Sequence, residues 1–134
     1  MITVKTTYLG ELRSVSRHVY SGTEILTDAP IDNRGKGQAF SPTDLLATSL
    51  GTCMLTTMAI GAQTHGYNID GTKMEIIKVM ASDPRRVAEV NVTFFFPPNN
   101  YTDKEKKIME RIAHTCPVGI SLHQDVKQVV TFNY

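Results

Sequence analysis

From Ser41 to Tyr67 the chain reads SPTDLLATSLGTCMLTTMAIGAQTHGY, and between Asp44 and His65 no side chain carries a formal charge. Few folds accommodate such a stretch. Its start carries helix signals: Ser41 suits the N-cap, Pro42 the first helical position, and Asp44 puts a negative charge on the first turn, where free N–H groups and the dipole favour one. Helical throughout, it spans roughly 36 Å at about 1.5 Å per residue, which raises the question of a membrane span. Thr48, Ser49, Thr52, Thr56, Thr57, Gln63 and Thr64 interrupt the apolar run, and a translocated segment is greasier than this. A helix without a charged face is instead expected to be covered by protein on most sides.

A chain of 134 residues is expected to form one domain, residues 1–134, large enough for a core yet small for burying so long a helix alone. A net charge of +1 argues against nucleic-acid and acidic-membrane partners. The N-terminal MITVKTTYLG alternates like a strand and lacks the apolar run of a signal peptide, so a cytoplasmic location is expected, where thiols stay reduced unless catalytic or sensing. Cys53 and Cys116 match no zinc spacing, and the four histidines do not supply one.

Alternation and turn residues divide the rest. Residues 2–8, Leu12 to Tyr20 and Glu24 to Thr27 read as three strands of an antiparallel meander with one wet face, separated by Gly10 and by Ser21-Gly22. Residues 28–40, DAPIDNRGKGQAF, read as a loop that either serves a site or partner or crosses through solvent. After the long helix, which closes near Gly66, come strands at Lys73 to Ala81 and Arg86 to Phe96. The second should turn Ala88, Val90, Val92, Phe94 and Phe96 to the core. Thr102 and Glu105 stand in capping-box spacing at the start of another helix. Its apolar stripe runs through Ile108 and Ile112 to Cys116. Pro117 breaks it or starts a short helix to about His123, and Val126 to Tyr134 is a last strand, with Val126, Val130 and Phe132 on one face. The order βββ-α-ββ-α-(α)-β is that of an α+β domain.

The two cysteines admit two readings. A free cysteine usually behaves as a small buried hydrophobe. Cys116, however, sits before Pro117 at a helix start, where N–H groups and the dipole lower a thiol pKa. Cys53 lies too deep in its helix for that help, so a thiolate there needs a cation nearby. Arg34 and Lys36, on the loop feeding the helix, are the nearest in sequence; arginine fits better, being always charged and fork-shaped. Ser49 and Thr56 flank Cys53 one turn away and either donate to its sulfur or bond their own helix carbonyls. His65, His114 and His123 match no motif.

SPTDLLATSLGTCM around Cys53 and HTCPVGISL around Cys116 resemble the helix and second-cysteine motifs of the OsmC/Ohr family, the osmotically inducible protein C and organic hydroperoxide resistance proteins. The element order agrees along the whole chain, and DAPIDNRGKGQAFSPTDLLA is closest to the OsmC-like branch. The resemblance implies an OsmC-like fold, antiparallel sheets around a long central helix, in an intertwined homodimer with shared active sites. It implies thiol-dependent reduction of organic hydroperoxides. Cys53 would be the peroxidatic thiolate and Cys116 its disulfide partner, with a lipoyl-type dithiol as reductant and no metal, haem or flavin cofactor. The family's arginine is held by a glutamate ten residues before the first cysteine. Thr43 occupies that position here and the acid, Asp44, comes one residue later, where it orients Arg34 or caps the first turn. Lys36, Arg13 or Arg17 could substitute for Arg34. The alternative is a stress-response, small-ligand or redox-sensing protein that keeps the fold with little turnover.

Overall fold

In the computed structural model, which describes residues 1–134, the uncharged stretch is a single helix, α1, Pro42–His65. Its first turn closes reciprocally. The Asp44 N–H donates to Ser41 Oγ (3.0 Å) and the Ser41 N–H donates to Asp44 Oδ2 (2.9 Å), a capping box built on aspartate. Gly66, in a left-handed conformation at φ 80°, follows the last turn, as a C-terminal glycine should. The helix is long and apolar enough to cross a membrane by length and composition. Its wholly buried residues nevertheless form one stripe, Ala47, Leu50, Gly51, Met54, Met58, Gly61 and Ala62, at the three- and four-residue spacing of a helix packed on one side. Ile60, off that stripe, is exposed, so cover on most sides is not provided within this chain.

The chain forms two compact units, Met1–Leu46 and Ala47–Tyr134. The first contains β1, β2 and β3 (Val4–Gly10, Arg13–His18, Glu24–Asp28), an antiparallel meander in that order. A single 3-10 turn, Ile31–Asn33, lies within the loop that follows. The expected single wet face is not seen: the only wholly buried residues of this unit are polar, Asp28 and Ser41, while Val4, Tyr8, Leu9, Ile25, Leu26 and Phe40 are all exposed.

In the second unit, β4 (Lys73–Ala81) pairs antiparallel with β5 (Arg86–Phe95). The last strand, β6 (Lys127–Asn133), pairs parallel with β5, so this sheet is mixed where an antiparallel one was expected. The chain returns to β5 through α2 (Asp103–Ala113) and α3 (Pro117–Ser121), and a helical crossover of that length permits a parallel neighbour. Val90, Val92 and Phe94 of β5 are buried as the alternation predicts, but Val87 is buried in place of Ala88. The register explains the change. Val79 pairs with Glu89 and Met80 with Val87, leaving Ala88 as the extra residue of a bulge that inverts the alternation. Thr102 caps α2, its hydroxyl accepting from the Glu105 N–H at 3.1 Å. At Gly51 and Gly61, α1 packs closely: a Cβ would lie 2.6 Å from Ile76 Cδ1 at the first and 2.5 Å from Ile112 Cδ1 at the second, so those isoleucine ends would have to shift.

A candidate thiol site

The stripe that carries α2 into the core ends at Cys116, which is wholly buried, while Cys53 in the middle of α1 is half-buried. Both thiols are free. Although far apart in sequence, they lie near enough in the second unit for the Cys53 side chain to raise the Cys116 pKa. Cys116 is also the N-cap of α3, its sulfur accepting from the Gly119 N–H at 3.3 Å, and Pro117 takes the first helical position behind it.

The expectation that a helix start would acidify Cys116 is reversed. Burial pushes its thiol above the ordinary range, the Gly119 N–H pulls it back only in part, and the neighbouring Cys53 side chain pushes it up further. A five-residue helix has little dipole to set against loss of water around a thiolate. Cys116 is therefore held toward its protonated form. Around Cys53 the threonine hydroxyls bond their own helix. Thr56 Oγ1 donates to the Thr52 and Cys53 carbonyls (3.0 and 3.2 Å), and Thr57 Oγ1 donates to the Cys53 carbonyl (2.7 Å).

The other expected site residues lie in the first unit. Arg34 is exposed, in a left-handed conformation at φ 67° that ends the 3-10 turn. Lys36 is exposed and paired with Glu11 at 2.7 Å. Asp44 caps the first turn of α1. The guanidinium with a fixed fork is Arg13, whose Nε and Nη2 donate to Oδ1 and Oδ2 of buried Asp28 at 2.7 and 2.8 Å. Asp28 also accepts from the Gln38 N–H at 3.0 Å, and Arg13 Nη2 donates to Gln38 Oε1 at 3.0 Å. The Arg13 partnership holds the Asp28 carboxyl below the usual range, with the Gln38 N–H adding to it and burial opposing. Sequence reasoning named Arg13 only as a substitute and missed Asp28, whose position at the end of a short strand looks like an ordinary turn acid.

His65, His114 and His123 are all exposed, the last 3.6 Å from Asp125. No group of three or more His, Cys, Asp or Glu side chains gathers to hold a metal. A polar cavity of about 690 Å³ between Tyr67, Asp70, Asn99, Tyr101 and Glu105 contains neither cysteine. The thiol pair therefore consists of a half-buried Cys53 and a wholly buried Cys116.

Residues 35–131 match the family model for OsmC-like proteins. A protein from Psychrobacter arcticus, provisionally described as an osmotic stress induced and detoxification response protein, is 52% identical. Its structure gives a TM-score of 0.95, over 99% of this chain and 96% of that one. At the level of fold alone, the chain is similar to an organic hydroperoxide resistance protein OsmC from Legionella pneumophila (14% identity, TM-score 0.78, 100% and 98% covered). The same holds for the organic hydroperoxide resistance protein OhrB of Bacillus subtilis (16% identity, TM-score 0.72, 98% of each chain). No curated protein matches the chain.

Proposed function

The chain belongs to the OsmC-like family, and on that premise we propose that it is a thiol peroxidase that reduces organic hydroperoxides to alcohols. The family includes organic hydroperoxide resistance proteins, which supports a role in peroxide stress. The observation that supports the reading is that free Cys53 lies near enough to free, buried Cys116 to raise its pKa.

The Cys53 thiolate attacks the peroxide oxygen, the O–O bond breaks, and the alkoxide takes a proton to leave as alcohol, with Cys53 oxidised to sulfenic acid. Cys116 then condenses with that sulfenic acid, releasing water and forming the disulfide. A lipoyl-type dithiol reduces the disulfide and is itself oxidised. The division of labour follows from burial: the half-buried sulfur of Cys53 meets the peroxide, and the wholly buried Cys116 keeps its proton until it resolves.

The same reading takes residues 1–134 as one OsmC-like domain in a cytoplasmic, intertwined homodimer. A three-stranded sheet whose wholly buried residues are only polar lacks the apolar burial that holds a small sheet together. A second copy wrapped against it would supply that burial.

The test is consumption of cumene or fatty-acid hydroperoxide with a dihydrolipoyl reductant. Wild type should turn over, and Cys53→Ser should lose nearly all activity. Equal rates in both, or none in wild type, would replace this reading with a ligand-binding or redox-sensing protein.

A further inference from the structure

On β6, Gln128 stands in register with Val90 of β5; the next rows toward the strand end pair Val92 with Val130 and Phe94 with Phe132. Val90, Val92 and Phe94 are wholly buried, and Phe94 and Phe132 stack with centroids 5.7 Å apart. A glutamine on this apolar face breaks the alternation and needs a partner. It has one: Gln128 Nε2 donates to the Gly119 carbonyl at 3.0 Å. The N–H of the same glycine donates to Cys116 Sγ. A Cβ on Gly119 would lie 3.0 Å from Gln128 Oε1 and 3.2 Å from Cys116 Sγ, with Leu50 Cδ1 in ordinary contact at 3.4 Å, so a side chain there would crowd the glutamine and the sulfur. Gly119 lies within the short helix α3, and the bond from Gln128 is the side-chain tie that joins it to β6.

We propose that Gln128 is a positioning residue for Cys116, holding Gly119 so that its N–H stays aimed at the resolving sulfur and that sulfur stays beside Cys53. The proposal rests on the reading of Cys116 as the resolving thiol. In that step Cys116 gives up its proton, its sulfur attacks the sulfenic sulfur, the S–O bond breaks, and the hydroxyl leaves as water with that proton. The Gly119 N–H stabilises the negative charge that gathers on Cys116 during attack. A turn released from Gln128 loses both that donor and the alignment of the two sulfurs.

Two measurements on Gln128→Met, a side chain of similar length without a donor, separate this role from a merely structural one. First, in a Cys53→Ser background and without peroxide, the thiolate absorbance of Cys116 should titrate at higher pH than in the parent, because a hydrogen bond to the thiolate has gone. Second, after one equivalent of peroxide, sulfenic acid should form on Cys53 at the wild-type rate. It should then close to disulfide about three- to tenfold more slowly, the scale of one hydrogen bond, and be trapped by dimedone in larger yield. Gln128→Asn keeps the amide but is one methylene too short to reach Gly119, and should reproduce both changes if the methionine perturbs folding. A folded variant whose Cys116 titration and closure rate equal those of wild type overturns the proposal. A wild type that forms no sulfenic acid defeats the peroxidase reading instead, and the Cys116 titration still decides whether Gln128 governs that sulfur.

Discussion

At Cys116 two effects oppose each other. The Gly119 N–H favours the thiolate and burial disfavours it, and burial prevails. The expected consequence is a Cys53→Ser protein whose remaining thiol titrates above the ordinary cysteine value of about 8.5; titration at or below that value would contradict the assignment of Cys116 as the protonated partner. Asp28 shows the opposite case, a buried carboxyl held low by Arg13. Because its folded pKa is depressed, the stability it contributes is fully present above its unfolded value of about 3.9. That stability is lost as pH falls through the lower folded value. Acid titration followed by circular dichroism should therefore show the strand signal of wild type persisting to lower pH than that of Asp28→Asn, whose amide cannot pair with the Arg13 fork as a carboxylate does. Coincident acid transitions would remove Asp28 as the anchor. Neither outcome is visible in sequence, since both depend on how much water surrounds a group.

Among the elements, α1 was the most legible. Ser41, Pro42 and Asp44 mark its start, and the reciprocal bonds between Ser41 and Asp44 bear out the capping role. Its packing was not legible, because which stripe of an uncharged helix turns inward depends on its neighbours. Leu50 lies on that stripe, fully buried and against the Gly119 turn. Leu50→Ala should cost about 2–5 kcal/mol in denaturant unfolding, the range for an emptied core leucine. A loss well under 1 kcal/mol would mean that the helix packs elsewhere. The cap of α2 is a smaller lever: Thr102→Ala should cost about 1 kcal/mol. In β5, periodicity located the buried face from Val90 to Phe94 and failed at Ala88, because a bulge is a property of a strand pair and shows itself only when both strands are aligned.

At the scale of the whole molecule, the unit Met1–Leu46 exposes apolar side chains and buries wholly only Asp28 and Ser41. In the proposed intertwined dimer, assembly and folding are one process, so sedimentation should give twice the chain mass and the melting temperature should rise with protein concentration. A folded monomer with a concentration-independent melt would sink the dimer.

The sequence by itself determined the order and kind of the elements, the capped start of α1 and the two cysteine motifs, because these depend on local propensity, periodicity and turn chemistry. Tertiary structure alone decided that Cys53 and Cys116 meet, that Arg13 is the arginine gripped by a buried acid, and that Gln128 holds the turn beside the second sulfur. The reason is physical. Each of these contacts joins residues distant along the chain, and the balance of desolvation against hydrogen bonding that sets their chemistry arises only when packing removes the water.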